Sequence, residues 1–467
     1  MLGGKLMLLA ALSQVTSGSA SPHPAALVEQ LGSPRYADRE AAAAALEQIG
    51  RPALVPLRKA RDSRDPEIRN RAGTLAEKIE TALLTLATRV QLDFHDSPLP
   101  EVARSLGSQT GFRIELYPAN LPRWRQQRVS LHESGAIDFW KAIDRVCDVA
   151  GLQYNPNMHG YIGNGEPIFA LTDGTSRAMT PTSDHGPFRV SLIGVEYQKR
   201  VTYAPSGVGG HVPPPPRPAV LEPEHNEASS PRLNPVTNIQ FSAQLLLAAE
   251  PRLALSQVRP LQLVEAVDER GNSLIPAGEE DTVHRRYAGY FGIATSPVVQ
   301  LQAHLRRPES AGDRIKKLRG FVSLSVSARR PHPLVVPLDN STGKTFENQD
   351  HRLTVHDIRP TPTTHNVLIE LSIRANDAVE SSDHLQDDVF SDSFVQRTDP
   401  QHLQIEVIDA SGRMVPWFQS GVDVGTSRVT LTVTNQAQPL HLKELRYYAL
   451  SRAAVKIPFE FADIPMP

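Results

Sequence analysis

The sequence predicts a multidomain, mainly β protein. It has an N-terminal α-helical cap, a small α+β unit of order βαββα, and two tandem antiparallel β-sandwich domains. Three observations carry this expectation. Apolar residues recur at helical spacing from Leu27 to Glu80. Helical and alternating stretches are interleaved between residues 86 and 173. From Phe188 to Pro467 an apolar–polar alternation of period two dominates, and its landmarks occur twice. A period of 3.6 marks an amphipathic helix and a period of two marks a half-buried strand.

Composition bounds the function. A chain of 467 residues leaves room for about three domains of ~150 residues each. Lys+Arg 49 against Asp+Glu 51 gives a net charge of -2, so no global cationic field exists to displace counterions from nucleic acid. Charged residues at 21% exclude wholesale disorder. Cys147 is the single cysteine, which rules out an intramolecular disulfide and a cysteine metal cage. The 39 prolines exceed the usual ~5%.

Residues 1–20 read as a secretory signal peptide: Lys5, an apolar run Leu6–Leu12, then Gly18-Ser19-Ala20 as a small-residue cleavage site. The run is too short to span a bilayer. The expected destination is the periplasm or cell surface.

The helical segment, 25–84, places Leu27, Val28 and Leu31, then Ala42, Ala45, Leu46 and Ile49, then Ala53, Leu54 and Leu57 on successive helix faces. Gly32-Ser33-Pro34, Gly50-Arg51-Pro52 and Asp62-Ser63 interrupt them, and Pro66 opens the last helix. Arg58, Lys59, Arg61, Arg64, Arg69 and Arg71 alternate with Asp62, Asp65 and Glu67, which reads as a solvated face. The segment resembles HEAT-type helical repeats through Leu31-Gly-Ser33, the Ala-rich helix 40–46, Ile49-Gly50 and Asp65-Pro66-Glu67-Ile68-Arg69, with Asp38-Arg39 as a second half-match. About one and a half repeats are present, fewer than a free-standing solenoid needs. The resemblance implies a cap or a docking module.

In the α+β unit, 86–173, Arg89–Phe94 alternates with Val90, Leu92 and Phe94 inward. Pro98–Gln109 follows as a helix stopped by Gly111, then strands at Phe112–Leu116 and Arg128–Leu131. A second helix, Ala136–Ala150, carries Ile137, Trp140, Ile143, Val146 and Cys147 on one face and stops at Gly151. Gly151–Tyr154 and Tyr161–Leu171 are further strands, around a turn at Gly163-Asn164-Gly165. Cys147 is expected to be a buried, inert thiol. This unit resembles the short N-terminal domain shared by secretins and TonB-dependent receptors. The resemblance rests on Leu92-Asp93-Phe94, Ser97-Pro98-Leu99, Gln109-Thr110-Gly111-Phe112, Val129-Ser130-Leu131 and Val149-Ala150-Gly151-Leu152. It implies a protein-contact module of the periplasm. No pore or barrel pattern follows.

The β region divides at 187–340 and 350–467. Phe188–Leu192 parallels His351–Val355, and Phe241–Ala248 parallels Val367–Ala375. Leu261–Asp268 with Gly271 parallels Leu403–Asp409 with Gly412. Pro276 matches Pro416, Thr295-Ser296 matches Thr426-Ser427, and Ile315–Arg319 matches Leu442–Arg446. Asp-x-x-Gly at 268–271 and 409–412 is a hairpin turn in which glycine takes a positive φ. The shared Lys-x-Leu-Arg reads as a strand anchored by Leu318 and Leu445 with solvated charges, or as a binding ridge. A Pro-rich insertion at 204–236 and an acidic insertion at 376–393 break the symmetry. The second holds Asp377, Glu380, Asp383, Asp387, Asp388 and Asp392, either solvated or gathered on Ca²⁺.

No H-E-x-x-H, G-x-S-x-G or phosphate-binding loop occurs. The histidines singled out (His284, His304, His332, His351, His356 and His365) are scattered, and His351 and His356 fall on opposite faces of one strand. No catalytic residue, cofactor or metal ligand is therefore assigned, while a triad assembled from distant segments stays open. The expected function is that of an exported, non-enzymatic envelope protein. It would bind a protein partner through its helical and α+β units, with the β domains as spacer or contact surface. The alternatives are glycan binding on the β domains, with Trp417 beside Phe418 as the aromatic platform, or a hydrolase with its site on the sandwich loops.

Overall fold

The computed structural model describes residues 23–156, 160–161, 167–174, 180–205, 233–276, 297–348, 350–361, 366–375, 404–423, 428–434 and 441–467. The expected signal peptide, the turn at 163–165, the pairs Thr295-Ser296 and Thr426-Ser427, His284, His365, the acidic insertion and most of the Pro-rich insertion lie outside the described residues. The fold is mainly β with a helical N-terminal part. Among the described residues no helix is long and apolar enough to cross a membrane. The chain forms two compact units, Met1–Leu83 and Leu84–Pro467, which are taken in turn.

In the first unit α1 (Pro24–Gln30), α2 (Tyr36–Ile49), α3 (Leu54–Lys59) and α4 (Pro66–Thr85) surround one core built on Leu27, Leu31, Leu46, Leu57 and Ile79. The helix starts repeat in detail. Arg39 Nη1 donates to the Ser33 carbonyl at 2.8 Å, and Arg69 Nη1 donates to the Ser63 carbonyl at 2.8 Å. The Ser33 and Ser63 hydroxyls accept from the amides of Arg35 and Asp65. Each Ser/Arg pair thus closes the turn that precedes a helix, and Asp65 also caps α4 by accepting from the Glu67 amide at 2.8 Å. Arg58 departs from the solvated face: it pairs with buried Glu80 at 2.7 Å.

The second unit begins with the α+β part. Its elements are β1 (Arg89–Val90), β2 (Asp93–Pro98), α5 (Leu99–Thr110), β3 (Arg113–Tyr117), α6 (Pro122–Gln126), β4 (Arg128–His132), β5 (Ile137–Asp138), α7 (Phe139–Ala150), β6 (Leu152–Tyr154), β7 (Gly160–Tyr161) and β8 (Pro167–Asp173). Three small sheets result: β1–β5, β2–β4, and β3–β8–β6 with β7 also on β8. Val90, Leu92 and Phe94 are buried as the alternation requires, but the expected strand is split because β1 and β2 have different partners. Helix α6 was not expected. It is five residues long and is held by Trp124, which is buried and donates Nε1–H to the Pro118 carbonyl at 2.8 Å. The second helix starts at Phe139 rather than Ala136, since Ile137 pairs with Val90 in β5. Gly111 and Gly151 end their helices in the left-handed conformation, and Cys147 is buried.

The first β repeat comprises β9 (Thr182–His185), β10 (Phe188–Pro205), β11 (Leu233–Ala249), β12 (Ala254–Ser256), β13 (Gln262–Asp268), β14 (Val298–Leu305) and β15 (Arg314–Arg329). One sheet runs β14–β11–β10–β9, and in the other β12 and β13 both pair with β15. The ends of the Pro-rich insertion are strand, since Pro205 pairs with Leu233 across β10 and β11. The second repeat comprises β16 (Leu334–Pro337), β17 (Thr345–Glu347), β18 (His351–Pro360), β19 (Val367–Ala375), β20 (Ile405–Asp409), β21 (Trp417–Asp423), β22 (Arg428–Val433) and β23 (Leu442–Tyr447). Its sheets are β17–β18–β19–β22–β21 and β16–β23–β20. Each repeat has its own buried cluster, one around Phe188, Leu245, Leu318 and Val322, the other around Val336, Ile369, Val407 and Leu431.

The duplication extends to irregularities. A β-bulge follows Leu192 in β10 and Val355 in β18. Another lies at Lys316 of β15, opposite Val267 and Asp268, and at Lys443 of β23, opposite Ile408 and Asp409. The Asp-x-x-Gly turns superpose bond for bond. Asp268 Oδ1 accepts from the amides of Arg270 and Asn272, and Asp409 Oδ1 accepts from those of Ser411 and Arg413. Gly271 and Gly412 have φ of 83° and 82°. Leu318 pairs with Ala266 and Leu445 with Val407, both leucines buried, while Lys317 and Arg319 meet Glu265 at the surface.

The two repeats are not simply tandem. The last strand, β24 (Leu450–Pro465), pairs with β15 along its whole length, from Arg314↔Pro465 to Arg329↔Leu450. Residues 450–465 therefore belong to the sheet of the first repeat, although the sequence drew them into the second. Residues 334–337, drawn into the first, pair with β23 in the second. The reason is that each central strand, β15 or β23, needs a neighbour on its outer side. Ile457, Phe459, Phe461 and Ile464 supply the apolar face for β15, and Val336 supplies it for β23. The second repeat is thus inserted between two adjacent strands of the first.

Two predictions follow from this packing. A Cβ at Gly320 would stand 2.3 Å from the Gln262 carbonyl oxygen and 2.8 Å from the Phe459 ring. Gly320→Ala is expected to destabilise the protein by about 1–3 kcal/mol in urea unfolding, as overpacking does, and to speed hydrogen exchange in β15 and β24. The second concerns acid. The Ser411 hydroxyl and the Arg413 amide hold the Asp409 carboxyl down from 3.8 to about 2. At Asp268 burial pushes the carboxyl up, but hydrogen bonds from Asn272, Gly312 and Arg270 outweigh it and hold it below its ordinary value. A depressed carboxylate stabilises the fold above its unfolded pKa, and that contribution is lost as pH falls through the folded one. Urea midpoints measured between pH 3.8 and about 2 should fall less steeply for Asp409→Asn than for the parent chain.

Candidate functional site

Helix α7 lies against the outer side of sheet β14–β11–β10–β9, and a buried arginine makes the joint. Arg189 projects from β10 opposite the core side chains of Phe188 and Val190, and its side chain is 5% exposed. It forks to two carboxylates. Nε and Nη2 donate to Asp184 on β9, both at 2.7 Å. Nη1 and Nη2 donate to Asp144 on α7 at 2.7 and 2.6 Å. The guanidinium also lies 4.7 Å from the ring centroid of Trp140, whose Nε1–H donates to the Pro187 carbonyl at 3.1 Å. Burial alone would lower the basicity of Arg189, but its hydrogen bonds to Asp184 and Asp144 outweigh it and raise the pKa. Planar bidentate pairing is what a guanidinium provides and an ammonium does not.

A second joint ties the chain before β1 to the same repeat. Glu250 is fully buried. It accepts from the Thr88 amide at 2.8 Å and from the Thr88 hydroxyl, and Arg252 Nε donates to it at 2.8 Å. A third stands where β15 leaves the first repeat. Arg329 pairs with buried Glu406, and its guanidinium lies 4.5 Å over the Tyr448 ring. Tyr448 donates its hydroxyl to Glu406 at 2.8 Å, and burial followed by the Glu406 charge pushes that phenol up to about 12. Arg330 bonds Asp350 at 2.8 Å. Each joint is built on one buried charged residue, Arg189, Glu250 or Glu406, whose directional hydrogen bonds fix its orientation.

The exposed counterpart is a two-stranded arm. Strand β14 pairs with β11 only from Phe241 to Ala248, and β9 pairs with β10 only from Phe188 to Ser191. Beyond these limits β10 and β11 continue together from Gln198↔Gln240 to Pro205↔Leu233. Among the described residues neither outer edge of this extension has a strand partner. The bulge after Leu192 decides which face is apolar. It shifts the inward set from Phe188, Val190 and Leu192 to Val195, Tyr197, Lys199 and Val201. The face of Phe241 therefore runs on into solvent, with Tyr197, Val201 and Ile239 exposed by 37, 43 and 54%. Arg307 lies 5.2 Å over Tyr197 at the base of the arm. An apolar strand pair with open edges is the surface that protein partners extend or cover.

Comparison of the chain with protein-family models, curated proteins and solved structures finds no match. The reading therefore rests on the residues themselves. Trp417, the candidate sugar platform, is buried in the core of the second repeat, and only its neighbour Phe418 is exposed. His351 packs against the Tyr447 ring and His356 bonds the Ser372 hydroxyl, so they do face apart. Asp93, His95 and His132, none of them singled out from the sequence, stand together on the β2–β4 pair. The signal was an Asp-x-His on one strand, which needs a known cross-strand partner before it means anything. The hydrogen bond from His132, with the charge of His95, holds the Asp93 carboxyl below its ordinary value.

Removing the central arginine leaves Asp144 and Asp184 facing each other with no cation between them. Arg189→Met is expected to destabilise the second unit by about 1–3 kcal/mol, the range for lost hydrogen bonds to charged groups, because Asp144 and Asp184 are 44% and 28% exposed and stay solvated. Arg189→Lys should recover only part of this, as read by urea unfolding followed through tryptophan fluorescence, all three tryptophans lying in this unit.

Proposed function

We propose that this is an exported, non-enzymatic scaffold of a bacterial envelope that binds a protein partner. The observation that carries the reading is the β10–β11 arm: a largely apolar face and, among the described residues, two strand edges without a strand partner, held out by modules locked together at Arg189, Glu250 and Glu406. The signal-like residues 1–20 give the destination. The HEAT-like segment and the unit resembling the secretin and TonB short N-terminal domain supply further contact surfaces of the kind those families use between proteins. In this reading the β repeats are both spacer and contact surface. The absence of a catalytic motif from the sequence agrees with a binding role.

The test uses full-length chain as bait for envelope fractions after cross-linking. A protein retained by the parent chain should be reduced by about tenfold or more in Val201→Asp/Ile239→Asp, a loss of about 1.4 kcal/mol in binding, with an unchanged melting temperature. Equal retention by both baits would rule out the arm as the contact. Turnover of ester, peptide or glycoside substrates by the pure chain would overturn the non-enzymatic reading.

A further inference from the structure

We propose that the β10–β11 arm pairs edge to edge with the arm of a second copy of this chain, β10 against β10 in antiparallel register. The inference rests on the reading of the arm as a protein contact and names its partner. A ribbon of two strands is marginal in water, and further strands stabilise it. The two edges are not equivalent. Strand β11 carries Pro235, a residue type that blunts an edge because it has no N–H. Strand β10 has no proline between Gly194 and Val201, and Glu196 to Val201 are all exposed.

Two-fold symmetry leaves few registers. An axis normal to the sheet keeps every residue on its own face, and facing residues share a face, so one residue must sit on the axis opposite itself. With Glu196, Lys199 or Arg200 there, like charges meet, which destabilises a cross-strand pair. With Tyr197 there, no opposite charges meet. With Gln198 there, Glu196 faces Arg200 of the second copy, and Arg200 faces its Glu196. On the other face Lys199 meets Tyr197, a cation beside a ring, and Val201 meets Val195. The edge is therefore complementary to itself in charge and in apolar pairing. The register within each arm extends the rows, since Ile239 and Lys199 of one copy run on into Tyr197 and Phe241 of the other. Strand β9 already pairs with Ser191, so the new pairing stops at Gly194 against Thr202 and each arm tip must swing clear of β9. The bulge after Leu192 and the strong twist of a two-stranded ribbon supply that bend.

The experiment is analytical ultracentrifugation of the full-length chain over a concentration series. The parent chain should pass from monomer to dimer. Glu196→Arg and Arg200→Glu should each weaken dimerisation by about tenfold or more, since each sets like charges across the axis twice. The double variant restores opposite charges and should return to within about threefold of the parent, which two independent surface defects would not do. Register is read by cross-linking. Facing residues of an antiparallel pair stand about 4.5–5.5 Å apart at Cα, within disulfide reach. Cys147 is buried, so under mild oxidation Gln198→Cys should give a covalent dimer and Val201→Cys should not. A chain that stays monomeric, charge variants that associate as the parent does, or cross-linking at Val201 instead of Gln198 would overturn this pairing. If Val201→Asp/Ile239→Asp then still loses a different envelope protein, the arm stands as a protein contact and only the second copy is ruled out. If it loses none, the arm falls as a contact altogether.

Discussion

Everything in the second unit is arranged around one buried cation. Arg189 stands where the α+β part meets the first β repeat, and it joins two carboxylates and an indole in one place. A buried ion pair stabilises little compared with a well-packed apolar joint. What it contributes is direction: the fork accepts one placement of Asp144 and one of Asp184. The Glu250 and Glu406 joints repeat the device with other partners, beside apolar contacts in which Ala248 and Val298 of the first repeat join the core of the α+β part. Rigid joints let an exposed element such as the β10–β11 arm sit at a fixed place relative to the rest of the unit.

The repeats show how much of this was readable in advance. The alternation identified the strands, and the paired landmarks that fall on described residues marked the duplication down to the Asp-x-x-Gly turns, because those turns depend on local chemistry. Leu318, Leu445, Cys147 and Trp417 went inside for the same reason: their neighbours at period two or 3.6 already formed an apolar face. Strand partners were not readable. Nothing local to residues 450–465 says that they pair with 314–329 rather than with 442–447.

The site residues divide along the same line. Arg189 resembled any surface arginine in an alternating strand, and Asp144 any polar helix position. Their meeting depends on how α7 docks, which no window of sequence contains. The arm was missed for a different reason. Its apolar face depends on a one-residue bulge, and a bulge inverts the inside and outside of every residue after it. Asp93, His95 and His132 became a group only once the register of β2 against β4 was known.

The insertion of the second repeat between β15 and β24 also sets an order of events. Leu324 and its partner Val455 are separated by the entire second repeat. A chain that emerges from its N-terminus can form β9 to β15 early, yet the outer side of β15 stays uncovered until residue 465 is free. Long-range pairing of this kind is slow and leaves an apolar strand edge open while it waits. The second repeat reaches its own last strand at residue 447, so it can close first. The first repeat, begun earlier, is sealed last.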